Sequence, residues 1–358
     1  MTRISRRDTM RVLAAAMAAG AAGAAGLPAR AAGGKITVLN WQGYGTDEAW
    51  SLEAFATATG IEVVHDYFSS EAETLTKLRT NPGAYDVVLL NSARVSTAAM
   101  EGLIVPADLA TIPNAANISA DLLTNPNFAI DGKGFAVPWV WGMTSIAVRE
   151  GVAKPASYKD LAAPAYAGRF AMNDDAMIAV ALGALTTGQD LNDPADMEAV
   201  KEALKALKPN IKLLWSSEDQ WNKSFAAGEF DVSMFWSGGS VRSRRNAGLP
   251  VDFVVPAEGA VVWVDGLAVA AGAPNPEGAA AFINWMIDPK FYVEWATKVG
   301  APASANAQAL AALPADDLSA QVHKPDYMVS KNVMSAMPDE RREAFNAAWE
   351  EVKAFYAE

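Results

Sequence analysis

ITVLNWQGYGTDEAWSLEAFATATGIEVVHDYFSSEAETLTKLRTNPGAYDVVLL, residues 36–90, decides the fold class. Its first segment, Ile36-Thr37-Val38-Leu39-Asn40-Trp41, reads as a strand. A helix is predicted next: Thr46 is placed to cap it, Asp47 and Glu48 suit its first turn, and Gly60 ends it. Trp50, Leu52 and Phe55 give that helix its apolar groups. Ile61–Val64 is a second strand, and Ser70–Thr80 a second helix stopped by Asn81-Pro82-Gly83. Asp86–Leu90 is a third strand, apolar from Val87 onward. This β-α-β-α-β order predicts a mainly parallel sheet flanked by helices, because a parallel strand pair needs a crossover that covers a face.

Working outward, further strands are predicted at Gly134–Val140 (with an internal Pro), Phe170–Met172, Asp231–Trp236, Val261–Val264 and Leu267–Ala271. Helices are predicted near 176–187 and 194–207, from Pro276 to Ile287, and from Pro338 to the end. A length of 358 residues accommodates two such α/β units. No Gly/Ser-rich linker separates them, so ordered crossings are expected to join them. Ligands of open α/β sheets sit at the carboxyl ends of strands, in a crevice.

Composition removes several chemistries. Cysteine is absent, which excludes disulfides, thiol catalysis and cysteine-held metal. The two histidines, His65 and His323, are too far apart in sequence for an H-x-x-x-H pair. No P-loop, G-x-G-x-x-G or G-x-S-x-G motif occurs. A net charge of −12 disfavours nucleic acid, which needs a basic face. No cofactor and no metal are expected. An enzyme would have to work with carboxylates alone, so a non-catalytic role is the expectation.

Residues 1–31 read as an export signal. Arg3, Arg6, Arg7 and Arg11 precede the uncharged run Val12–Leu27, and Ala29-Arg30-Ala31 supplies a cleavage site. The pair Arg6-Arg7 after Ser5 matches a twin-arginine signal. Removing 1–31 takes away five Arg and one Asp and leaves 24 basic and 40 acidic residues, a net charge of −16. The expected product is a free monomer in a periplasm.

Aromatic residues stand beside small or acidic ones at strand ends: Trp41-Gln42-Gly43-Tyr44, Asn173-Asp174-Asp175, Phe235-Trp236-Ser237-Gly238 and Trp263-Val264-Asp265-Gly266. An indole face attracts an organic cation by about 0.5–2 kcal/mol, and a carboxylate adds charge-assisted hydrogen bonds. Trp263 and Asp265 are two apart in a strand and share a face. Core packing explains any single Trp equally well, and Asp174 and Asp175 also suit a helix N-terminus. Asp265 is harder to explain that way, because a carboxylate inside an apolar run needs a partner.

From Ile36 to the C-terminus the sequence resembles the periplasmic spermidine/putrescine-binding proteins of ABC importers. Leu39-Asn40-Trp41-Gln42-Gly43-Tyr44, Thr59-Gly60-Ile61-Glu62-Val63, Gly83-Ala84-Tyr85-Asp86-Val87-Val88, Val137-Pro138-Trp139-Val140-Trp141-Gly142, Asn173-Asp174-Asp175-Ala176, Phe235-Trp236-Ser237-Gly238 and Trp263-Val264-Asp265-Gly266-Leu267-Ala268 carry the likeness, in order. The resemblance implies a two-lobe periplasmic-binding-protein fold, with lobes at 32–140 plus 266–305 and 141–265 plus 306–358. It implies a small organic amine as ligand and a membrane permease as partner. It also implies that Trp41, Tyr44, Asn91, Asp175, Trp236, Trp263 and Asp265 line the site, Asp265 receiving the principal amine.

Four positions depart from that pattern: Ile178 replaces an acid, Ala93 and Ala301 replace Tyr, and Gly239 stands where putrescine sites can carry Asp. One amine end is intact and the other rebuilt. Arg94 and Arg242 are therefore candidates to hold a ligand carboxylate, against the ordinary expectation that arginines are surface groups. A zwitterion such as 4-aminobutyrate, or a quaternary amine, remains open beside the polyamine.

Overall fold

The computed structural model describes residues 33–324 and 332–358. The predicted export segment at 1–31 lies outside the described residues. In chain order the main elements are β1 (Gly34–Asn40), α1 (Ala49–Thr59), β2 (Ile61–Tyr67), α2 (Glu71–Thr80), β3 (Val87–Asn91), α3 (Ser92–Met100) and β4 (Val137–Arg149). Then come β5 (Phe170–Asn173), α4 (Ala176–Thr187), α5 (Met197–Lys205), β6 (Ile211–Trp215), α6 (Glu218–Ala226), β7 (Val232–Trp236) and α7 (Ser237–Ala247). Finally β8 (Val251–Val254), β9 (Val261–Val269), α8 (Pro276–Met286), α9 (Pro289–Lys298), β10 (Ala303–Ser304) and α10 (Asp339–Ala357) complete the chain.

The local chemistry follows the usual rules for helix ends. Ser70, Asn91, Asp175, Asp196, Ser217 and Asn275 each accept a backbone N–H at the start of a helix. Gly60 and Gly188 close α1 and α4 in the left-handed conformation. The predicted cap Thr46 does not cap α1. Its hydroxyl is buried as acceptor for Asn40 Nδ2 at 2.7 Å, and the helix begins later, at Ala49.

One sheet runs in the order β2-β1-β3-β9-β4-β7-β5-β6, with β8 and β10 also pairing to β4. The β1–β2, β1–β3, β5–β6 and β5–β7 pairs are parallel. The central strands are antiparallel: β9 to β3 and to β4, and β4 to β7. The predicted strands Val261–Val264 and Leu267–Ala271 are one strand, β9, with a register shift between Asp265 and Gly266. The predicted Gly134–Val140 strand is the first part of a 13-residue strand, β4. Its Pro138 sits opposite Gly266 at the irregularity, where a missing N–H is tolerated.

Two lobes hang on these long strands. The first packs β1, β2 and β3 with α8 and α9 around Val38, Leu39, Phe55, Leu89, Phe282 and Trp295. The second has a core on each face of its strands. On one face α4, α5 and α10 bury Ile178, Leu182, Val200, Leu204 and Trp349. On the other, Trp215, Trp221, Phe225, Phe230 and Phe235 pack together. Burial on both faces explains why the parallel strands read as continuous apolar runs.

Gly142 on β4 pairs with Trp263 on β9, and a Cβ there would fall 2.3 Å from the indole Cζ2. Glycine is what lets the indole lie flat on the sheet. Gly142→Ala is expected to lower the unfolding free energy by about 1–3 kcal/mol, as overpacking does. Urea denaturation measures it, and an unchanged midpoint would mean that the indole swings aside freely.

Candidate functional site

The carboxyl ends of β1 and β3 and the register shift in β9 converge on Asp265. This side chain is 6% exposed. Tyr44, in the turn after β1, donates its hydroxyl to Oδ2 at 2.8 Å. Asn91, the last residue of β3, donates its amide to Oδ1 at 2.9 Å. Asn91 is held by its own Oδ1, which accepts the Ala93 N–H at the start of α3. Tyr44 is held by edge contacts with Trp139 and Trp295, which stack on each other at 5.3 Å. Burial pushes the Asp265 carboxyl up to about 6, and the two hydrogen bonds only partly pull it back.

The ladder extends the site across the sheet. Asp265 is paired with Asn91 on β3 and with Val140 on β4. Trp263 is paired with Gly142, and Trp236 on β7 with Thr144. Paired residues and residues two apart share a face, so Asn91, Asp265, Trp263 and Trp236 line one side of one sheet. Trp236 is half-buried, its ring edge-on to Trp215 at 5.0 Å. Trp263 Nε1 and the hydroxyl of Thr144 are shut off from solvent and have no partner. Trp41, half-buried after β1, meets Phe68 edge-on at 4.5 Å and hydrogen-bonds Glu71.

Asp175 caps α4, accepting the Ile178 N–H at 3.0 Å, and burial raises its carboxyl above the usual range. Asp174 instead accepts the Trp349 indole and pairs with Lys353.

The two arginines differ. Arg242 forms a two-pronged pair with Glu218 at 2.9 and 2.5 Å and donates to the Gly300 carbonyl, so its guanidinium is already engaged. Arg94 is half-buried, makes no ion pair among the described residues, and feels Glu71 and Asp175 electrostatically. Both histidines are structural: His65 meets the Thr46 hydroxyl, and His323 is buried against Ser237 and the edge of Trp141.

Sequence reasoning missed Glu71, in the first turn of α2. Its Oε2 is buried without a partner, and its charge interacts with Asp265, Arg94 and Asp175. It looked like an ordinary helix-start acid. The available signal was positional: Glu71 follows β2 as Tyr44 follows β1 and Asn91 ends β3, and the carboxyl ends of parallel strands gather at one crevice.

Comparison with known proteins agrees with this architecture. Residues 50–325 match the family described as bacterial extracellular solute-binding protein. The chain is 33% identical to the spermidine/putrescine-binding periplasmic protein of Escherichia coli (strain K12) over 257 residues, 70% of this chain and 72% of that protein. It is 33% identical to spermidine/putrescine-binding periplasmic protein 1 of Haemophilus influenzae over 309 residues, 84% of each. A crystal structure of a spermidine/putrescine ABC transporter substrate-binding protein from Streptococcus pneumoniae superposes with a TM-score of 0.79 at 24% identity, covering 90% of this chain and 99% of that one. The two-lobe α/β architecture is thus that of a periplasmic binding protein, and the chain belongs to the family of spermidine/putrescine-binding periplasmic solute receptors.

Proposed function

We propose that the protein captures a linear polyamine of the putrescine/spermidine class between its lobes and delivers it to the permease of an ABC importer. The observation that carries this reading is Asp265: a buried carboxylate at the junction of the lobes, held from behind by Tyr44 and Asn91 and sharing a face with two indoles. Its remaining lone pairs suit an ammonium, and Trp41, Trp236 and Trp263 suit the alkyl chain and its charge. Lobe boundaries at 32–140 plus 266–305 and 141–265 plus 306–358 place Asp265 at a crossing, where lobe rotation would close on a ligand. Residues 1–31 would act as a twin-arginine export signal and deliver a monomer to the periplasm. No helix among the described residues is long and apolar enough to cross a membrane. We take the role to be binding without catalysis.

A second reading rests on Arg94. Its unpaired guanidinium would suit the carboxylate of a zwitterion such as 4-aminobutyrate. A thermal-shift panel of putrescine, spermidine, cadaverine, 4-aminobutyrate and choline separates the two. A ligand present at about 100 times its Kd adds about 2.7 kcal/mol of stability. Putrescine or spermidine should give the largest shift. If only 4-aminobutyrate shifts the transition, the polyamine reading fails.

Asp265→Asn keeps the shape and both neighbours while removing the charge. Amine affinity should fall by about 2–5 kcal/mol, the cost of leaving a buried ammonium unpaired. Calorimetry measures it, and unchanged binding would remove Asp265 as the anchor.

The same carboxyl sets a pH dependence. Alkylammonium groups stay charged below pH 8, so only the protein titrates. With Asp265 raised to about 6 in the free protein, its protonation should remove affinity as pH falls through that value. In the ligand-free protein the sign is opposite. A carboxyl raised from 3.8 to about 6 on folding stabilises the fold at low pH, and that contribution disappears as pH rises through 6. Amine titrations from pH 5 to pH 8 test the first statement; a flat profile would contradict it.

A further inference from the structure

Glu71 is the cleft carboxylate that neither the family pattern nor the sequence motifs single out. Four observations bear on what it does. Its Oε1 side is engaged by the Trp41 indole while Oε2 is buried with no partner. An orphaned acceptor in a low-dielectric site calls for a donor. Thr144, 1% exposed and on the same sheet face as Trp236, also has an unpartnered hydroxyl. Glu71 Oε2 and the Thr144 hydroxyl are thus both solvent-excluded and unsatisfied.

The charge count distinguishes the ligand classes. Glu71 interacts with two further acids, Asp265 and Asp175, and with one cation, Arg94, while the other nearby cation, Arg242 beside Tyr44, is already paired with Glu218. At the rim Arg342 and Asp339 pair with each other and cancel. Ionised, the crevice carries two uncompensated negative charges. A zwitterion would leave both in place, whereas a dication neutralises them. The position also fits: Glu71 opens α2 just past the carboxyl end of β2, where a strand-end crevice gathers polar groups.

Resting on the amine-binding reading above, we propose that Glu71 is the second anionic contact of the site, taking the far ammonium of a linear diamine whose first ammonium is held by Asp265. Burial, reinforced by Asp265 and Asp175 and opposed by Arg94 and the Trp41 indole, raises the Glu71 carboxyl to about 8 in the empty site. Tyr44 stands near as well, its hydroxyl engaged on Asp265. At pH 7 Glu71 is then mostly protonated until an ammonium arrives, and binding a diamine expels its proton.

The test is calorimetry on the mature protein with putrescine and with n-butylamine, which keeps the chain and one ammonium. Glu71→Gln should weaken putrescine by about tenfold or more, the worth of a hydrogen bond to a charged group. Butylamine should change by less than about threefold, since it makes no such bond. Putrescine binding to the wild type at pH 7, run in two buffers of different ionisation enthalpy, should release close to one proton; the Gln variant should release almost none. Thermal unfolding of the unliganded variant checks the fold, and Glu71→Asp, which keeps the charge on a shorter arm, should recover part of the putrescine preference. Equal losses for both amines, or an unchanged ratio, would overturn the role of Glu71 while leaving the amine receptor intact. A wild type that binds neither amine would overturn both.

Discussion

A carboxylate buried where two lobes meet organises this molecule. Removing such an ion from water costs several kcal/mol after relaxation, and each hydrogen bond to it returns about 1.5–3 kcal/mol. Asp265 has two such bonds. They come from Tyr44 and Asn91, on chain segments separated from it by 221 and 174 residues. The carboxyl nevertheless stays raised, to about 6, so desolvation still exceeds what the protein offers. The deficit is what the proposed cationic ligand would supply, at the register shift of β9.

The surroundings follow from that need. Tyr44 must not move, so Trp139 and Trp295, stacked on each other, meet its ring edge-on. Asn91 must present its amide, so its carbonyl oxygen is tied to the start of α3. Trp263 must lie flat on the sheet, so its cross-strand partner is Gly142. Asp175, meanwhile, is tied up at the start of α4, where its carboxylate accepts the Ile178 N–H. Tyr44, Asn91 and Asp175 sit at or just past the carboxyl ends of strands, the places where a parallel sheet leaves polar groups exposed to a crevice.

Much of the site was legible before folding was considered. Trp263 and Asp265 are two residues apart, and a period of two is enough to put them on one face. Asp265 was conspicuous because a charge within Val261–Val269 has no local remedy. Arg94 and Arg242 looked equivalent. They differ because Glu218, 24 residues away on α6, reaches Arg242, while among the described residues no acid lies within ion-pair distance of Arg94. Glu71 was hidden in Ser70-Glu71-Ala72-Glu73, a pattern that every acid-rich helix start shares.

The sequence alone determined the alternation of strands and helices, the parallel segments within each lobe, the absence of thiol and paired-histidine chemistry, and the aromatic and acidic residues at strand ends. These depend on local periodicity, capping and residue type. The tertiary structure alone decided that Val261–Val269 is one strand shared by both lobes, that it runs antiparallel to β3 and β4, and that Glu71 on α2 comes within electrostatic reach of Asp265. Those are long-range pairings: the energy of a buried charge depends on neighbours contributed by distant segments, and chain spacing does not encode which of them arrive.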